Sequence, residues 1–577
     1  MLSHNTDVAV APAVRSAGSD HPGCLVIADG ERLEITRTPL PVAQTAPVRL
    51  ICSTWTDYQR GSNVPADARQ WIELDPTRQT VRIRMADLSA RPLFFYLDES
   101  LCIVAPAILP IAEALLQRGR TLDWDRAGIA EALLMDYPFR QRTYFRQIQR
   151  ANMAEDILLR LQTGRVERSR RWIMRFGAPD EPRRSLDDAV RLLRNLTDET
   201  PLPEDAIHPL SGGYDSRLLL CLAVAEGRRP HTLTFGEFGS ADLTMARAVA
   251  RSMDLSNEPY SQHPEDLWTH GMDVSVITGG MVTPAHRHIY SMLHDMQVRA
   301  PMVHGFLGES FAGQAAVRCE AEPNEEQALR CFLNHLRCLP KPVIGCSGSL
   351  WDAIDESTRS EIEADVRLAL AECVSVNRPS AFTEYFHNVD RQSGMVAQVI
   401  SMFEMFGPCT YPYATRQFAE FFNAAPQEDR IQRRLFFQAA RKLFPRVFSL
   451  PSLDRPWGPR LPWAAQSAMK TARNCLQLAT DVGSGGRIVA FSPYWTEQQD
   501  YLIGRYYRQA LDDAIAATEA VLDADLTSIR YTKLPKWGNS YRQLRLIGLH
   551  GLMQHPTYRA LTDGKTTSVG VASVKVG

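Results

Sequence analysis

Residues 209–217 read Pro-Leu-Ser-Gly-Gly-Tyr-Asp-Ser-Arg, and a run of apolar residues follows them. The run predicts a buried helix, and Gly212 and Gly213 permit a tight turn at its start. A helix that opens in this way has backbone N–H groups without intrahelical partners, and its dipole favours an anion. Ser211 and Ser216 add hydroxyl donors. The stretch therefore predicts a phosphate-binding loop between a strand and a helix.

Asp215 is the unexpected member of this loop, because a carboxylate repels a polyphosphate unless a cation lies between them. Mg²⁺ typically binds one or two carboxylates together with substrate phosphates. The Gly-Lys-Ser/Thr end of a Walker A loop is absent from this loop. The spacing instead resembles the SGGxDS loop of ATP pyrophosphatases, which implies ATP and Mg²⁺ as ligands and cleavage of ATP to AMP and pyrophosphate. A surface turn before a helix is the alternative.

Length and composition bound the class of protein. The 577 residues suffice for two to four domains. A net charge of -2 and a hydrophobic content of 45% argue for a folded protein without a nucleic-acid-binding surface. The 11 cysteines form no CxxC pair, which fits free thiols in a reducing compartment better than disulfides or a zinc site. The start is unlike a signal peptide and no 18-residue apolar stretch occurs, so we predict a cytoplasmic protein without a transmembrane segment.

The order of predicted elements divides the chain. Residues 1–22 are expected to be a frayed tail. Short apolar runs separated by turns predict a β-rich domain over 23–177, with helices near 107–118 and 126–135. Over 185–577, strand–helix alternation predicts a parallel sheet with a ligand at the carboxyl ends of its strands, followed by a large helical part. The predicted fold class is therefore α/β with two domains.

Residues 91–105, Arg-Pro-Leu-Phe-Phe-Tyr…Cys-Ile-Val-Ala, resemble the GRKPLYYY…FAS segment of the asparagine synthetase superfamily. Residues 143–145 and 170–172 follow in that family's order. The resemblance extends over nearly the whole chain. It implies an Ntn-type glutaminase-like domain, followed by an ATP-pyrophosphatase-like adenylating domain.

The chemistry of the glutaminase-like domain is missing from the sequence. The family uses a Cys freed directly after Met1, whereas residue 2 is Leu here, and the expected Asn-Gly is absent near 51–60. The resemblance therefore implies a degenerate, inactive domain. Cys24 is the alternative nucleophile, which would require removal of every residue before it. A buried strand thiol is the plainer interpretation of Cys24.

The second domain keeps its nucleotide motifs. Residues 240–250 resemble the family's SPDLxxAxxVA segment, and residues 304–310, His-Gly-Phe-Leu-Gly-Glu-Ser, take the place of its second pyrophosphate loop, SGEGSDE. Glu309 then falls where the family has its second magnesium-binding Asp, paired with Asp215. A Gly-rich turn at 304–310 is the alternative. The resemblance implies a nucleotide site formed by Leu210, Ser211, Gly212, Gly213, Asp215, Ser216, Phe235, Asp242, Gly305 and Gly308.

Residues 390–395 and 403–408 resemble the family's DRxSM…LEARVPFLD motif. Glu404 takes the position of the motif's Glu, and Phe406 replaces its Arg. A Glu on a mainly apolar helix is costly to bury without a task or a partner, and such a carboxylate suits a general base for an amine. We therefore predict that Glu404 is the base. An ion-paired structural Glu is the alternative.

The family's catalytic Lys, from its RxK motif, is expected near 455–460, where the chain reads Arg-Pro-Trp-Gly-Pro-Arg. Arg455 or Arg460 is one candidate for stabilising charge on the α-phosphate. Lys533 or Lys536 is the other candidate, if its segment folds back. A solvated surface position is an equal alternative for each of these four cations.

The departures favour one branch of the superfamily. Without a working glutaminase domain no ammonia arises from glutamine, so the nucleophile must come with the substrate. The SGGxDSR loop and the GFLG(D/E) loop resemble those of lasso-peptide cyclases, which are macrolactam synthetases. That resemblance implies adenylation of an Asp or Glu side chain in a ribosomally made precursor peptide, attack by the peptide's N-terminal amine, and release of AMP and pyrophosphate. A leader peptidase and a leader-recognition protein are the further partners it implies.

Two other functions fit the same motifs. A β-lactam synthetase or an ammonia-dependent asparagine synthetase shares the adenylating chemistry, and Phe306 argues against both, since those families have Tyr or Glu there. A catalytically dead ATP-binding scaffold belongs to another class. Intact Ser211, Asp215 and Ser216 argue against the scaffold.

Overall fold

The protein is a mixed α/β chain in a computed structural model. The structure describes residues 26–29, 32–34, 48–51, 70–75, 78–88, 91–177, 182–198, 200–236, 240–261, 263–316, 321–337, 350–453, 455–458, 461–483, 508–526 and 539–562.

Two antiparallel sheets of five strands each lie in the first part of the described chain. Their orders are β2-β1-β7-β6-β8 and β10-β9-β5-β4-β3. The strands are β1 Val26–Asp29, β2 Arg32–Glu34, β3 Val48–Ile51, β4 Trp71–Asp75, β5 Thr80–Arg84, β6 Leu93–Leu97, β7 Leu101–Ala105, β8 Ile148–Ala151, β9 Glu155–Arg160 and β10 Arg165–Arg170. Helices α1 (Ile108–Gln117) and α2 (Arg126–Met135) lie between β7 and β8 and confirm the predicted pair.

The two sheets pack face to face around a small apolar core. Ile72 and Val81 of one sheet and Phe95 and Val104 of the other belong to the same buried cluster. Phe94 points to the opposite face of its strand, as strand geometry requires, and joins the main hydrophobic cluster together with residues of α1 and α2. The first sheet is therefore covered by the second sheet on one face and by helices on the other.

The second part of the chain alternates helices with short strands. The strands are β11 His208–Pro209, β12 Thr232–Phe235, β13 Asn257–Tyr260, β14 Met302–Val303 and β15 Cys409–Thr410. The helices up to β14 are α3 Leu186–Arg194, α4 Asp215–Ala225, α5 Ala241–Ser252, α6 His270–Ile277 and α7 Arg287–Asp295. The later helices are α8 Glu325–Arg337, α9 Leu350–Ala353, α10 Glu356–Val374, α11 Phe382–Phe386, α12 Ala397–Glu404, α13 Arg416–Asn423, α14 Gln427–Arg430, α15 Arg434–Leu443, α16 Trp463–Gly483, α17 Arg508–Leu522, α18 Asn539–Gln554 and α19 Pro556–Leu561.

The short strands form a parallel sheet whose order reverses in the middle. Strands β11, β12 and β13 pair in parallel, as do β14 and β15. A parallel bridge between Ile207 and Met302 joins the two groups, which gives the order β13-β12-β11-β14-β15. In open parallel sheets a ligand binds beyond the carboxyl ends of the strands, where the order reverses. The loops after β11 and β14 occupy that position here.

The C-terminal helices return to the first part of the chain. Arg542 of α18 donates from Nε to the carbonyl of Leu133 at 2.7 Å, and Nη1 of Arg545 donates to the hydroxyl of Tyr144 at 2.7 Å. Both arginine side chains are buried. The described parts of the two regions thus share one main hydrophobic cluster, and the sequence pattern gave no sign of this contact.

The described helices include none that is long and apolar enough to cross a membrane. The cysteines within the described ranges have free thiols, as predicted, and Cys331 and Cys475 are the exposed ones among them.

His208 of β11 makes the stability of the sheet depend on pH. Burial lowers the pKa of its imidazole to about 4, and Arg228 adds to this effect. In the unfolded chain the pKa is about 6.5, so between these values the unfolded state binds more protons and stability falls as the pH falls. When the pH falls from 7 to 5, the free energy of unfolding should decrease in the wild type. In His208→Gln the decrease should be smaller by roughly 1–2 kcal/mol, as measured by urea denaturation at the two pH values. Equal losses in the two proteins would contradict this account.

Candidate functional site at the carboxyl edge of the parallel sheet

The loop after β11 is tied to the sheet where the strand ends. The backbone N–H of Leu210 donates to the carbonyl of Leu233 at 2.8 Å, and its own carbonyl accepts from Oγ1 of Thr234 at 2.6 Å. Leu210 is buried. The predicted phosphate loop therefore leaves the sheet from a fixed point beside β12.

The two serine hydroxyls predicted to bind phosphate meet inside the loop. Oγ of Ser211 and Oγ of Ser216 lie 3.2 Å apart. Ser216 Oγ accepts the N–H of Ser211, and Ser211 Oγ accepts the N–H of Gly213, each at 3.2 Å. The N–H of Gly212 donates to Oδ1 of Asp242 at 3.1 Å. The expectation of unpaired loop amides is therefore wrong for these three residues, because side-chain oxygens of the same site accept from them.

Asp242 positions the loop from the start of α5. Its carboxylate is buried, and burial raises its pKa although the hydrogen bond from Gly212 acts in the opposite direction. Ser240 caps α5 by accepting the N–H of Leu243 on Oγ at 3.4 Å. Asp242 was predicted to contact a nucleotide. In the structure it instead accepts a hydrogen bond from the backbone of the first loop at Gly212.

The loop after β14 packs directly against the start of α4. A Cβ at Gly305 would lie 2.9 Å from Cβ of Asp215. A Cβ at Gly308 would lie 2.8 Å from Cγ of Asp215 and 2.9 Å from the ring of Tyr413. Neither position can accept a larger residue without movement of its neighbours. The structure therefore brings Asp215, Gly305 and Gly308 together at the reversal point, as the sequence predicted.

Strain accompanies this second loop. Leu307 has φ of +70°, a left-handed conformation that costs a non-glycine residue about 1–2 kcal/mol.

Glu309, the predicted second magnesium ligand, follows Gly308 directly and accepts a hydrogen bond from the side-chain amide of Gln314. Its carboxylate is half-buried and belongs to the loop that contacts Asp215.

The Asp215 carboxylate forms an ion pair with Arg433, which lies 218 residues later in the chain. The Arg433 guanidinium also lies over the ring of Phe436, 4.6 Å from its centre. The hydroxyl of Tyr413 donates to the backbone carbonyl of Asp215 at 2.9 Å, and burial raises the pKa of this phenol well above its usual value. Sequence reasoning missed Arg433, because its one signal is the basic pair with Arg434, a pattern equally typical of a solvated helix face.

A strained turn holds Arg433 in place. Gln432 and Arg433 both have φ of +57°, each at a cost of about 1–2 kcal/mol for a non-glycine residue. Arg430 anchors the turn through a buried ion pair with Glu384, with Nη2 2.9 Å from Oε2. Gly313, with φ of +105°, lets a neighbouring backbone pack against it, since a Cβ there would lie 2.3 Å from the carbonyl oxygen of Arg430. Such strain persists where the surrounding structure enforces it, often at functional sites.

Arg217, the last residue of the quoted motif, ties a distant segment to the loop. Its side chain is fully buried. It donates to the carbonyl of Gly212 at 3.4 Å, and to the carbonyls of Val447, Leu450 and Pro451 at 3.2, 3.2 and 2.7 Å.

Arg455 lies close to this junction. The N–H of Leu453 donates to the carbonyl of Gly212 at 3.2 Å, two residues before Arg455. The Arg455 guanidinium stacks 4.5 Å from the ring centre of Phe437. The structure thus places the segment of Arg455 beside the first loop. Arg460, Lys533 and Lys536 lie outside the described residues.

Glu404, the predicted base, ends α12 and has a charged partner. Nε of Arg91 donates to Oε2 of Glu404 at 3.0 Å. The Glu404 side chain is 20% exposed and the Arg91 side chain 23%. The other oxygen of Glu404, Oε1, is buried and accepts no hydrogen bond from any residue that the structure describes. The ion pair is the alternative foreseen for this residue. It shows that the apolar helix does not bury an unpaired charge.

The surroundings of Glu404 belong to the same edge of the sheet. His304, which opens the second loop, lies 4.7 Å from the ring of Phe403 and 6.4 Å from that of Tyr411. Burial lowers the pKa of His304 to about 4, so the imidazole is neutral at pH 7. The Arg91 guanidinium lies 6.0 Å from the ring centre of Tyr411. Glu404 therefore lies near the second loop, and the rings of Phe403 and Tyr411 pack between Glu404 and His304.

Phe235 ends β12 at the same edge, and its ring centre lies 4.4 Å from that of His288. Burial lowers the pKa of His288 to about 3, so this imidazole is neutral as well. Two uncharged rings therefore flank the first loop on the β12 side.

No protein-family model matches the chain, and no curated protein matches it.

Gly308→Ala tests the close contact of the two loops. The added methyl group must displace Asp215 or Tyr413, which we expect to cost about 1–3 kcal/mol of stability and to weaken nucleotide binding at least tenfold. Thermal unfolding and nucleotide titration by calorimetry measure the two effects. Gly119→Ala is the control for nucleotide binding, because a Cβ there meets nothing within 4 Å; its φ of +64° makes the substitution cost some stability, but the affinity for nucleotide should not change. Unchanged nucleotide affinity in Gly308→Ala would exclude this edge as the nucleotide site.

Proposed function

We propose that the chain is an ATP-dependent, AMP-forming amide ligase that closes a macrolactam ring in a ribosomally made peptide, as lasso-peptide cyclases do. The observation that supports this most is the contact of two glycine-containing loops at Asp215, at the point where the order of the parallel sheet reverses. On this proposal the ten-strand sandwich is an inactive glutaminase-like domain, and the parallel sheet with its helices is an ATP-pyrophosphatase-like domain.

The charges at the edge suit a magnesium–polyphosphate ligand. Asp215 is a largely buried carboxylate that already requires a cation, here Arg433. Gly305 and Gly308 place no side chains of their own against it. Asp215 and Glu309 would hold Mg²⁺, which would supply charge neutralisation between these carboxylates and the phosphates of ATP. The hydroxyls of Ser211 and Ser216 would donate to the phosphates.

The proposed reaction has two steps. A carboxylate oxygen of the substrate attacks the α-phosphorus of ATP, and the bond between the α-phosphorus and the bridging oxygen breaks to release pyrophosphate. An amine then attacks the activated carbonyl carbon, loses a proton and expels AMP, so that an amide bond forms. The enzyme must align both groups and keep water away from the adenylate.

Arg433 would act on the phosphates in the first step. A guanidinium that has left Asp215 can donate two parallel hydrogen bonds to a phosphate and stabilise its developing charge. The strained turn at Gln432 and Arg433 holds the side chain at the loop before ATP arrives. Arg455 would be a second cation on the neighbouring segment.

Glu404 would take the proton from the attacking ammonium in the second step. Its Oε2 is held by Arg91, and its Oε1 accepts no hydrogen bond from the described residues, so Oε1 has acceptor capacity for a proton. A substrate that carries both the carboxylate and the amine needs no ammonia source, which is why a peptide is proposed. A leader peptidase and a leader-recognition protein would act with the enzyme.

Asp215→Ala should abolish the substrate-dependent exchange of labelled pyrophosphate into ATP, by at least a hundredfold, because the variant loses the carboxylate proposed to hold Mg²⁺. Asp254→Ala, a change at an exposed residue away from the loops, is the control and should retain the wild-type rate. Exchange that survives in Asp215→Ala would mean that ATP is activated elsewhere.

Glu404→Gln should separate the two steps. Adenylate formation depends on the phosphate loops, so we expect pyrophosphate exchange within threefold of the wild type, while amide formation, and with it the release of AMP, falls by about 10²–10⁴. Arg91→Met is the companion variant, because it removes the ion pair but leaves the carboxylate. Amide formation at the wild-type rate in Glu404→Gln would make Glu404 structural.

The product identifies the substrate class. With ATP, Mg²⁺, a precursor peptide and its leader peptidase, we expect a core peptide lighter by one water, with the new bond between the N-terminal amine and an internal Asp or Glu side chain. Tandem mass spectrometry locates that bond. A product amidated by free ammonia, or a cyclised small amino acid, would contradict the proposal that the chain cyclises a peptide. Either product would still be consistent with ATP-dependent adenylation of a carboxylate.

A further inference from the structure

Two imidazoles and a carboxylate converge near Tyr260, the last residue of the edge strand β13. His270 begins α6, and His294 and Asp295 end α7. One ligand atom from each of the three side chains lies within 4.8 Å of the others. Nδ1 of His294 lies 3.0 Å, and Nε2 of His270 3.6 Å, from Oδ1 of Asp295.

These distances suit a tetrahedral metal ion. Zinc binds imidazole nitrogen and carboxylate oxygen at about 2.0–2.2 Å, so two ligand atoms of a tetrahedral site lie about 3.3 Å apart. The two distances to Oδ1 of Asp295 lie on either side of that value. All three ligand atoms lie within 4.8 Å of one another, so a bound ion would draw the two imidazoles closer together. A hydrogen-bonded His–Asp pair alone would need one imidazole, whereas here both converge on the same oxygen.

The atoms that do not face the centre of the cluster have other partners. Nδ1 of His270 lies 2.9 Å from Oγ of Ser291, which leaves Nε2 as the ligand atom. The hydroxyl of Tyr260 donates to Oδ2 of Asp295 at 2.6 Å, which leaves Oδ1 directed at the imidazoles. Metal-binding His and carboxylate side chains are held by second hydrogen bonds of this kind.

We propose that His270, His294 and Asp295 form a binding site for Zn²⁺, with water as the fourth ligand. Imidazole and carboxylate ligands favour this ion over Mg²⁺, which prefers an all-oxygen shell. The ion would join the start of α6 to the end of α7 and, through Tyr260, to the edge strand β13. This site is independent of the proposed ATP chemistry, since none of its ligands belongs to the two loops.

Equilibrium dialysis of the full chain against Zn²⁺, followed by metal analysis, tests the proposal. We expect one equivalent to be retained by the wild type and by Asp215→Ala, and to be lost in His270→Ala and in His294→Ala. His231→Ala is the matched control, because it removes an exposed imidazole that lies 3.0 Å from a lone carboxylate, Glu258, and it should retain the ion. Circular dichroism establishes that each variant is folded.

Substitution with Co²⁺ gives a second readout that does not depend on activity. A four-coordinate site with nitrogen and oxygen ligands should give visible d–d absorption that disappears in His294→Ala and persists in His231→Ala. Retention of Zn²⁺ by both His270→Ala and His294→Ala, or no retention by the wild type, would overturn the proposal. Loss of the ion in Asp215→Ala alone would instead assign it to the sheet edge and overturn the proposal as well.

Discussion

The ion pair between Asp215 and Arg433 is the contact on which the arrangement of the sheet edge depends. A carboxylate this far from water requires a positive partner. That partner comes from a turn 218 residues away, whose backbone is held in a left-handed conformation by packing against Gly313 and by the Arg430–Glu384 pair. The start of α4, the loop after β14 and the turn before α15 therefore converge on one side chain.

The rest of the fold keeps these three segments in register. Arg217 donates to four carbonyls and so fixes the segment of residues 447–451 against the first loop. The sheet sets the spacing of the two loops, because the bridge between Ile207 and Met302 places β11 next to β14. The strain at Leu307 and Gln432, about 1–2 kcal/mol each, is small against the burial that enforces it. Backbone strain of this kind is often found at functional sites.

Local sequence patterns predicted the elements well and the long-range partners poorly. Apolar runs and turn residues gave α1 and α2 nearly to the residue and predicted a helix after the first loop, because these depend on periodicity and on glycine and serine at element ends. The pairing of the loop at 304–310 with Asp215 was an expectation of the family resemblance, not of these local patterns. Arg433, Arg91 and the return of α18 to the first region had no local signal, since a lone Arg or an amphipathic helix looks the same whether its partner is near or hundreds of residues away. Glu404 was recognised as a buried carboxylate, but its partner was not.

A structure of the protein with Mg²⁺ and α,β-methylene ATP, which cannot release pyrophosphate, is the measurement that tests the central claim most directly. The account predicts the triphosphate between residues 211–216 and the loop at 304–309, with the metal on Asp215 and the Arg433 guanidinium moved from Asp215 to a phosphate oxygen. A nucleotide bound elsewhere, or a nucleotide at this edge with the Asp215–Arg433 pair intact and no metal on Asp215, would contradict it.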